Sequence, residues 1–189
     1  MMSWNLPVDL SSHPLSWIML LVWFVFEAWV IYRERGQVKC KKQDRGSRIF
    51  LIVSICIGMH LSFSMEQSSS LHIMIAGGVM SFCGIILRFW SIQTLGKFFK
   101  TVVEIQNNHQ LITSGPYRIV RNPSYLGIIM ITSGIGLMIG PKSFLILLVA
   151  VSAGLVRRII IEEAALRINF GEEYDKYSKS TYALIPVVW

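Results

Sequence analysis

The chain has 189 residues, of which 53% are hydrophobic and only 15% charged, and its net charge is +7. Soluble domains carry about 25% charged residues, so this composition and a mean hydropathy of +0.52 argue against a soluble enzyme and indicate a membrane protein. No basic stripe with interleaved aromatic residues is present, so membrane lipid and topology explain the positive charge better than nucleic acid does. The three cysteines and four histidines lack metal-ligand spacing, so no metal site is expected.

Five apolar runs follow one another along the chain, and each is a candidate membrane span. They cover residues 15–32, 49–65, 71–93, 124–140 and 143–161. A helix needs about 20 mainly apolar residues to cross about 30 Å of hydrocarbon. Backbone groups in lipid must be hydrogen bonded internally, which favours helices over open strands. The sequence therefore predicts an all-α integral membrane bundle of about five transmembrane helices. The N-terminus lacks a basic n-region, so the first run is expected to be a retained span, not a signal peptide.

The lysines and arginines predict how these spans are oriented. Seven of them lie in the segment 33–48, which is therefore expected to be cytoplasmic. Alternation then places the N-terminus outside and both the segment 94–123 and the C-terminal tail in the cytoplasm. The segment 94–123 carries four lysines and arginines, whereas the turn 140–142 carries only Lys142. The charge asymmetry thus agrees with five spans.

The fourth and fifth spans are separated by only three residues, 140–142. So short a connection predicts a tight antiparallel helical hairpin. The polar segments 115–123 and 157–163, which flank the hairpin, should then meet at the same face of the membrane.

The first of these segments begins the stretch GPYRIVRNPSYLG, residues 115–127. Pro116 and Pro123 predict a held, non-helical loop, with Pro123 placed to begin the fourth span. Free amides at that helix start suit a carboxylate or phosphate, and Tyr117, Asn122 and Tyr125 add hydroxyl and amide groups. The alternative is a helix cap with interfacial tyrosines and arginines that reach towards the headgroups. Both interpretations stay open at this point.

The second segment, RRIIIEE, places Arg158 and Glu162 four residues apart on one helix face. One interpretation is an ordinary surface pair that ends the helix. The other is a cation and an acid held beside the 115–123 loop.

Small and charged residues inside the spans allow further predictions. Gly134, Gly136 and Gly140 lie in an apolar span with no preceding strand, so close helix packing is expected there instead of a nucleotide-cradling loop. The same holds for the small residues of the third span, which are Gly77, Gly78, Ser81 and Gly84. Glu27 and Arg88 lie towards the predicted cytoplasmic ends of their spans, where either snorkelling or mutual support is expected.

The chain beyond the fifth span shows helical spacing of apolar side chains. Ala165, Leu166, Phe170, Tyr174 and Tyr177 form one side, and charged residues form the other. This pattern predicts a C-terminal amphipathic helix at the membrane interface.

Three runs of the sequence carry a resemblance to a known family. They are LGKFFKTVVEIQNNHQLITSGPYRIVRNPSYLG (95–127), RIIIEEAALRINFGEEYDKY (158–177) and IPVVW (185–189). Together they resemble the isoprenylcysteine carboxyl methyltransferases, integral-membrane enzymes that use S-adenosyl-L-methionine, whose wider group includes phospholipid methyltransferases. The resemblance implies that residues 94–189 form the catalytic methyltransferase region, with a cytoplasmic cofactor pocket, and that residues 1–93 form three N-terminal membrane helices.

The resemblance also implies roles for particular residues. Arg158 would face and bind the methyl acceptor, and Arg158, Glu162 and Arg121 would be the catalytic residues. The implied cofactor contacts are Glu104, His109, Gln110, Leu111, Ile112, Tyr117, Asn122, Pro123, Ser124, Tyr125 and Glu162. The family usually has histidine where this chain has Asn122. Asparagine can form hydrogen bonds but cannot become positively charged, so a direct charge interaction from this position is not expected.

The implied reaction is methyl transfer to a lipophilic acceptor, with carboxyl methylation of an isoprenylcysteine-like, prenylated substrate as the first choice. A free isoprenoid thioether, a phospholipid amine and a small lipophilic thiol or phenol remain alternative acceptors. Two other classes also remain: a membrane reductase of the sterol-reductase type, which is normally larger, and a non-catalytic membrane scaffold.

Overall fold

The computed structural model describes residues 14–34, 45–65, 69–96 and 111–185. These ranges contain six α-helices and one 3₁₀ turn at Gly115–Arg118. The helices are α1 (Pro14–Glu34), α2 (Arg45–Phe63), α3 (Leu71–Leu95), α4 (Pro123–Ile139), α5 (Pro141–Phe170) and α6 (Glu172–Ser180). Strands are absent from the described ranges, where an isolated bridge joins Val120 and Tyr182. The predicted all-helical class is confirmed, and the five predicted spans fall on α1 to α5.

Helices α1, α3 and α5 are long and apolar enough to cross a membrane, and the apolar parts of α2 and α4 are shorter. Large apolar side chains cover the outer surfaces of the bundle: Leu21 is 64% exposed and Val79 is 58% exposed. The inner face of α3 instead carries small or polar buried residues, among them Gly77, Ser81 and Arg88. An apolar exterior around a partly polar interior is the distribution that a lipid surrounding requires.

Helices α3 and α4 approach each other through glycines. A Cβ atom on Gly77 would lie 2.5 Å from the carbonyl oxygen of Gly134, and one on Gly84 would lie 2.8 Å from that of Gly127. The predicted close helix packing is confirmed at these positions. It is wrong for Gly78, because a Cβ atom there would meet no atom within 4 Å. Gly78 is next to Gly77 and therefore about 100° around the helix, which turns it away from α4.

Helices α4 and α5 form the predicted antiparallel hairpin. Gly140 alone separates them instead of the three predicted residues, because Pro141 is the first residue of α5 and Lys142 follows within that helix. At the turn a Cβ atom on Gly136 would lie 2.8 Å from the Cα atom of Phe144, so the two helices are in backbone contact there. Further along, Ile128 of α4 belongs to the same buried cluster as Leu155 of α5.

The end of α5 differs from the sequence expectation. The helix runs for 30 residues to Phe170, about 45 Å at 1.5 Å per residue, which exceeds the thickness of the hydrocarbon core. Ala165 and Leu166 therefore lie on α5, whereas Tyr174 and Tyr177 lie on the separate helix α6. Residues 162–170 contain good helix formers, and nothing interrupts the helix before Gly171, whose φ of +50° ends it.

Candidate active site

The loop before α4 is held against the end of α3. Gly115 has φ +58°, and a Cβ atom there would lie 3.1 Å from Thr94 Oγ1. The next two residues, Pro116 and Tyr117, are buried, and the Tyr117 hydroxyl lies 3.5 Å from the carbonyl oxygen of Ser91. The loop is held as predicted, but the expectation that it is non-helical is wrong for residues 115–118, where Pro116 near the start of the turn favours a 3₁₀ turn. The chain then continues to Pro123, the first residue of α4.

A buried cluster of three side chains joins α4 to α5. Arg158 Nε donates a hydrogen bond to the Tyr125 hydroxyl at 2.5 Å, and this hydroxyl donates to Glu162 Oε1, also at 2.5 Å. Arg158 Nη2 also lies 3.2 Å from Glu162 Oε1. The Arg158 side chain is only 4% exposed and that of Glu162 is 20% exposed. Arg158 and Glu162 are therefore not an ordinary surface pair but a cation and an acid held beside the start of α4.

A second cluster forms around the neighbouring acid, Glu163. Arg121 Nε lies 3.0 Å from Glu163 Oε1, and Asn122 Nδ2 donates to the same oxygen at 3.2 Å. Asn122 Nδ2 also lies 2.9 Å from the carbonyl oxygen of Ala183. Successive residues of a helix point about 100° apart, so Glu162 faces Tyr125 while Glu163 faces the loop. Two adjacent acids thus anchor two different parts of the site.

The C-terminal segment 181–185 lies along the loop and completes this arrangement. The Arg121 amide donates to the carbonyl oxygen of Tyr182 at 2.8 Å, and the Tyr182 amide donates to that of Ile119 at 3.1 Å. The Arg121 Nη1 group donates to the carbonyl oxygens of Ser178, at 2.8 Å, and Thr181. We call residues 181–185 the strap. The backbone of the strap is thus hydrogen bonded to Arg121, which lies two residues before the start of α4.

Helix α6 contributes two tyrosines, one of which contacts the loop before α4. Tyr174 is fully buried, and the Tyr177 hydroxyl donates to the carbonyl oxygen of Tyr117 at 2.7 Å. The aromatic side of α6 is thus covered by protein, and its charged residues Glu172 and Lys179 are exposed.

The charges of the site are balanced in pairs, Arg158 with Glu162 and Arg121 with Glu163. Burial raises the pKa of Tyr117 above its ordinary range, and the negative charge of Glu162 raises it further. Burial likewise raises the pKa of Tyr177 to about 12. Both hydroxyls therefore stay protonated at neutral pH and act as uncharged hydrogen-bond donors.

A third polar cluster joins the start of α4 to α1 and α3. Arg88 Nε and Nη2 lie 2.7 Å and 2.9 Å from the two carboxylate oxygens of Glu27. Arg88 Nη1 donates to Ser124 Oγ at 2.7 Å, and Trp23 Nε1 donates to Glu27 Oε1 at 3.1 Å. The expected mutual support of Glu27 and Arg88 is confirmed as a bidentate ion pair.

The structure brings five of the sequence-predicted site residues together. Tyr125, Arg158 and Glu162 meet, and Arg121 and Asn122 lie beside them through Glu163. Pro123 is the buried first residue of α4, and Leu111 and Ile112 are half-buried at the start of the described loop. The predicted contacts Glu104, His109 and Gln110 lie outside the described residues.

Sequence reasoning missed three features of the site. Glu163 was not selected as an anchor, although its position next to Glu162 marks it as a group on another face of the same helix. The Arg88–Ser124 contact joins residues far apart in the chain, with no sequence signal to pair them. The third feature is the hydrogen bond from Asn122 to the Ala183 carbonyl oxygen. Its acceptor is a backbone group, so no pattern of side chains predicts it.

Comparison with known proteins adds a family and a set of relatives. The family model for phospholipid methyltransferases matches residues 72–173, which is more than half of the chain. Protein-S-isoprenylcysteine O-methyltransferase A of Arabidopsis thaliana is 34% identical over 115 residues, covering 59% of this chain and 58% of the relative. The probable protein-S-isoprenylcysteine O-methyltransferase of Oryza sativa subsp. japonica is 32% identical over 115 residues, covering 59% of this chain and 60% of the relative.

A relative in Schizosaccharomyces pombe, also called protein-S-isoprenylcysteine O-methyltransferase, is 31% identical over 129 residues, covering 67% of this chain and 52% of the relative. The matches thus span 60% or less of the length of these relatives. A solved structure of the eukaryotic intramembrane Ras methyltransferase, isoprenylcysteine carboxyl methyltransferase, superposes with a TM-score of 0.59 at 24% identity. It covers 82% of this chain and 56% of that one, and it shows a shared helical fold.

Proposed function

The chain belongs to the phospholipid methyltransferase family, and on that premise we propose that it transfers a methyl group from S-adenosyl-L-methionine to a lipophilic acceptor. The reaction site is the junction of the loop, the start of α4 and the middle of α5. The preferred acceptor is the carboxylate of an isoprenylcysteine-like, prenylated substrate. This preference is supported by the names of the curated relatives at 32–34% identity.

One observation carries the proposal: the Tyr125 hydroxyl is bonded to both Arg158 and Glu162. The cluster contains the guanidinium of Arg158, which can bind a carboxylate of a ligand. It also contains the carboxylate of Glu162, which can bind a positively charged group. Both kinds of partner are needed if a negatively charged acceptor and a positively charged methyl donor are to meet. Because the Arg158 side chain is almost fully buried, its charge acts where water screens it weakly.

The donor set fits S-adenosyl-L-methionine, which supplies an electrophilic methyl group on a positively charged sulfur. Glu162 provides a partly exposed carboxylate for its positive charge, and Asn122, Ser124 and Tyr117 provide uncharged polar groups nearby. We assign Leu111 and Ile112, with Glu104, His109 and Gln110, to the other contacts that the resemblance implies.

The chain's own residues have positioning roles in this reaction. Arg158 holds the acceptor carboxylate, and Tyr125 fixes the guanidinium through its 2.5 Å hydrogen bond. When bound, the methyl donor would supply an electrophilic methyl carbon to the acceptor oxygen held by Arg158, and its sulfur would keep the electron pair of the broken carbon–sulfur bond. No proton moves in this step, so alignment and exclusion of water matter more than acid–base catalysis. Arg121 acts by holding the strap over the loop.

The membrane setting completes the proposal. Helices α1 to α5 cross the bilayer, the N-terminus lies outside and the reaction site faces the cytoplasm. Helix α6 and the projecting end of α5 lie at the cytoplasmic interface, on the side of the bilayer from which a lipid-borne acceptor approaches the site.

A second candidate function is methylation of a phospholipid amine, and the description of the matching family favours it. The purified protein in detergent is given tritium-labelled S-adenosyl-L-methionine with either an amino-blocked farnesylcysteine or phosphatidylethanolamine. Label that enters farnesylcysteine and is released as methanol by mild base identifies a carboxyl methyl ester. Base-stable label in phosphatidylethanolamine identifies the second function.

Two further measurements distinguish a methyltransferase from a membrane reductase and from a non-catalytic scaffold. A reductase of the sterol-reductase type would be protected from thermal unfolding by NADPH but not by S-adenosylhomocysteine. A scaffold would lose only stability when Arg158 and Glu162 are both replaced.

A further inference from the structure

Arg88 of α3 connects α1 to the first turn of α4, because its guanidinium binds both Glu27 and Ser124. Its side chain is 5% exposed, and the hydrogen bonds of its guanidinium use all three nitrogens. Two nitrogens bind Glu27, and the third binds Ser124. Burying such a pair is costly unless further hydrogen bonds satisfy it, and the Ser124 contact provides one of them.

The position of Ser124 gives this contact its significance. Ser124 directly follows Pro123 and directly precedes Tyr125, which carries the hydroxyl bonded to Arg158 and Glu162. Arg88 Nη1 also lies 3.4 Å from the Ser124 carbonyl oxygen, so it contacts both the side chain and the backbone of this residue. A displacement of this turn therefore moves Tyr125.

The contact also orients the Ser124 hydroxyl. Arg88 donates to Ser124 Oγ, so the oxygen acts as the acceptor and the hydroxyl proton must point elsewhere. A guanidinium has no acceptor atom, so the Ser124 hydroxyl cannot donate to Arg88 in return. The hydroxyl is thereby prepared to donate to a negatively charged or polar group of a bound ligand.

We infer that Arg88, held by Glu27, is a positioning residue that orients Ser124 as a hydrogen-bond donor to the methyl donor and fixes the first turn of α4 beneath Tyr125. The inference deepens the proposed function and rests on it. It also gives α1 and α3 a role in cofactor binding, because Glu27 and Arg88 lie on those helices.

The first test measures position without any ligand. Hydrogen exchange is followed in peptides covering residues 120–130 for the parent protein and for Arg88→Met in detergent. We expect exchange of this segment to become about tenfold faster, because the turn loses its anchor. Arg157→Met is the matched control, since Arg157 is exposed and its guanidinium lies over the Phe50 ring. Unchanged exchange in Arg88→Met would overturn the inference.

Arg88→Met leaves Glu27 as a half-buried charge without its arginine, so this variant can fail to fold for that reason alone. Glu27→Gln combined with Arg88→Met removes both charges and supplies a second route to the same measurement. The same faster exchange at residues 120–130 is expected, and its absence in a folded double variant counts against the inference.

The second test separates positioning from general stability. Calorimetry measures S-adenosylhomocysteine binding to the parent, to Arg88→Met, to Ser124→Ala and to the variant that combines them. We expect Arg88→Met to weaken binding about tenfold in the parent but less than about twofold in the Ser124→Ala background, because the hydrogen bond from Arg88 Nη1 to Ser124 Oγ is already absent there. Ser124→Thr keeps the hydroxyl and should retain affinity.

Equal losses in the two backgrounds would show that Arg88 does not act through Ser124 and would overturn the inference. A parent protein that binds no S-adenosylhomocysteine would overturn the proposed function instead, and the exchange measurement would still decide whether Arg88 holds the turn.

Discussion

Arg158 of α5 donates a hydrogen bond from Nε to the hydroxyl of Tyr125 of α4 at 2.5 Å. The two residues are 33 positions apart in the chain and meet because Gly140 folds the hairpin sharply. The Arg158 guanidinium also lies 5.7 Å from the centre of the Tyr125 ring, which adds a cation–π contact. This pair links the loop side of the site to the α5 side, and the first two predictions depend on it.

Tyr125→Phe removes the hydroxyl and keeps the ring. The guanidinium of Arg158 and the carboxylate of Glu162 each lose a short hydrogen bond, while the cation–π contact stays. We expect kcat/KM for methyl transfer to fall roughly 10- to 100-fold, in line with about 1.5–3 kcal/mol for hydrogen bonds to charged groups. Steady-state kinetics with labelled cofactor measures the change, and Tyr32→Phe, on an exposed tyrosine of α1, is the control. An unchanged kcat/KM would contradict the role given to Tyr125 in the site.

Arg158→Lys keeps the positive charge but loses the planar fork that reaches Tyr125 and Glu162 together. We expect kcat/KM to fall at least about 30-fold, equivalent to about 2 kcal/mol, as for other buried charge pairs that lose a partner. The matched control is Arg157→Lys, because Arg157 is the adjacent residue on α5 and is exposed. Equal activity of the two variants would contradict the role given to Arg158.

Asn122→Asp replaces a donor with an acceptor at a point where two acceptors already converge. Its Nδ2 group serves Glu163 at 3.2 Å and the Ala183 carbonyl at 2.9 Å. A carboxylate in the same place would repel both, so we expect the strap to detach and its amides to exchange faster. Hydrogen exchange of a peptide covering residues 178–185 measures this effect. Asn169→Asp on the exposed side of α5 should leave that peptide unchanged, and a strap that stays protected in Asn122→Asp would show that other contacts suffice.

Stability should fall at high pH because buried tyrosines must ionise. Burial raises the pKa of Tyr177 to about 12 in the folded protein from an ordinary value of 10.0. The folded state therefore keeps a proton that the unfolded state loses, so the contribution is complete below pH 10.0 and is lost as pH rises through about 12. We expect the thermal midpoint to fall over this interval, less steeply in Tyr177→Phe than in the parent. Parallel curves for the two proteins would contradict the assignment.

Two adjacent glycines on α3, Gly77 and Gly78, provide a test of the packing of α3 against α4, which positions the start of α4 in the site. A Cβ atom on Gly77 would clash with the Gly134 backbone, whereas one on Gly78 would enter open space. We expect Gly77→Ala to lower the free energy of unfolding by about 1–3 kcal/mol, as overpacked cores do. Gly78→Ala should change it by less than about 1 kcal/mol. Denaturant unfolding in mixed micelles measures both values, and equal effects would contradict the close approach of α3 and α4.

The sequence by itself determined the helices, their order and the hairpin. Apolar runs of membrane-spanning length, the helix-starting Pro123 and the short connection near Gly140 are local features, and each acts through the neighbouring backbone. The same local information placed Arg158 and Glu162 on one face of α5 and predicted that the segments 115–123 and 157–163 would meet at one face of the membrane. The residue roles, by contrast, came from resemblance and stay predictions until the variants are measured.

Only the tertiary structure decided which groups meet. Whether Glu162 or Glu163 faces Tyr125 depends on the rotation of α5 about its axis, and that rotation is set by packing summed over the whole interface. The Arg88–Ser124 contact depends on α3 approaching α4 closely enough for Gly84 and Gly127 to touch. The strap depends on residues 181–185 returning to the loop before α4. These are contacts between distant parts of the chain, so their free energies are absent from any short window of sequence.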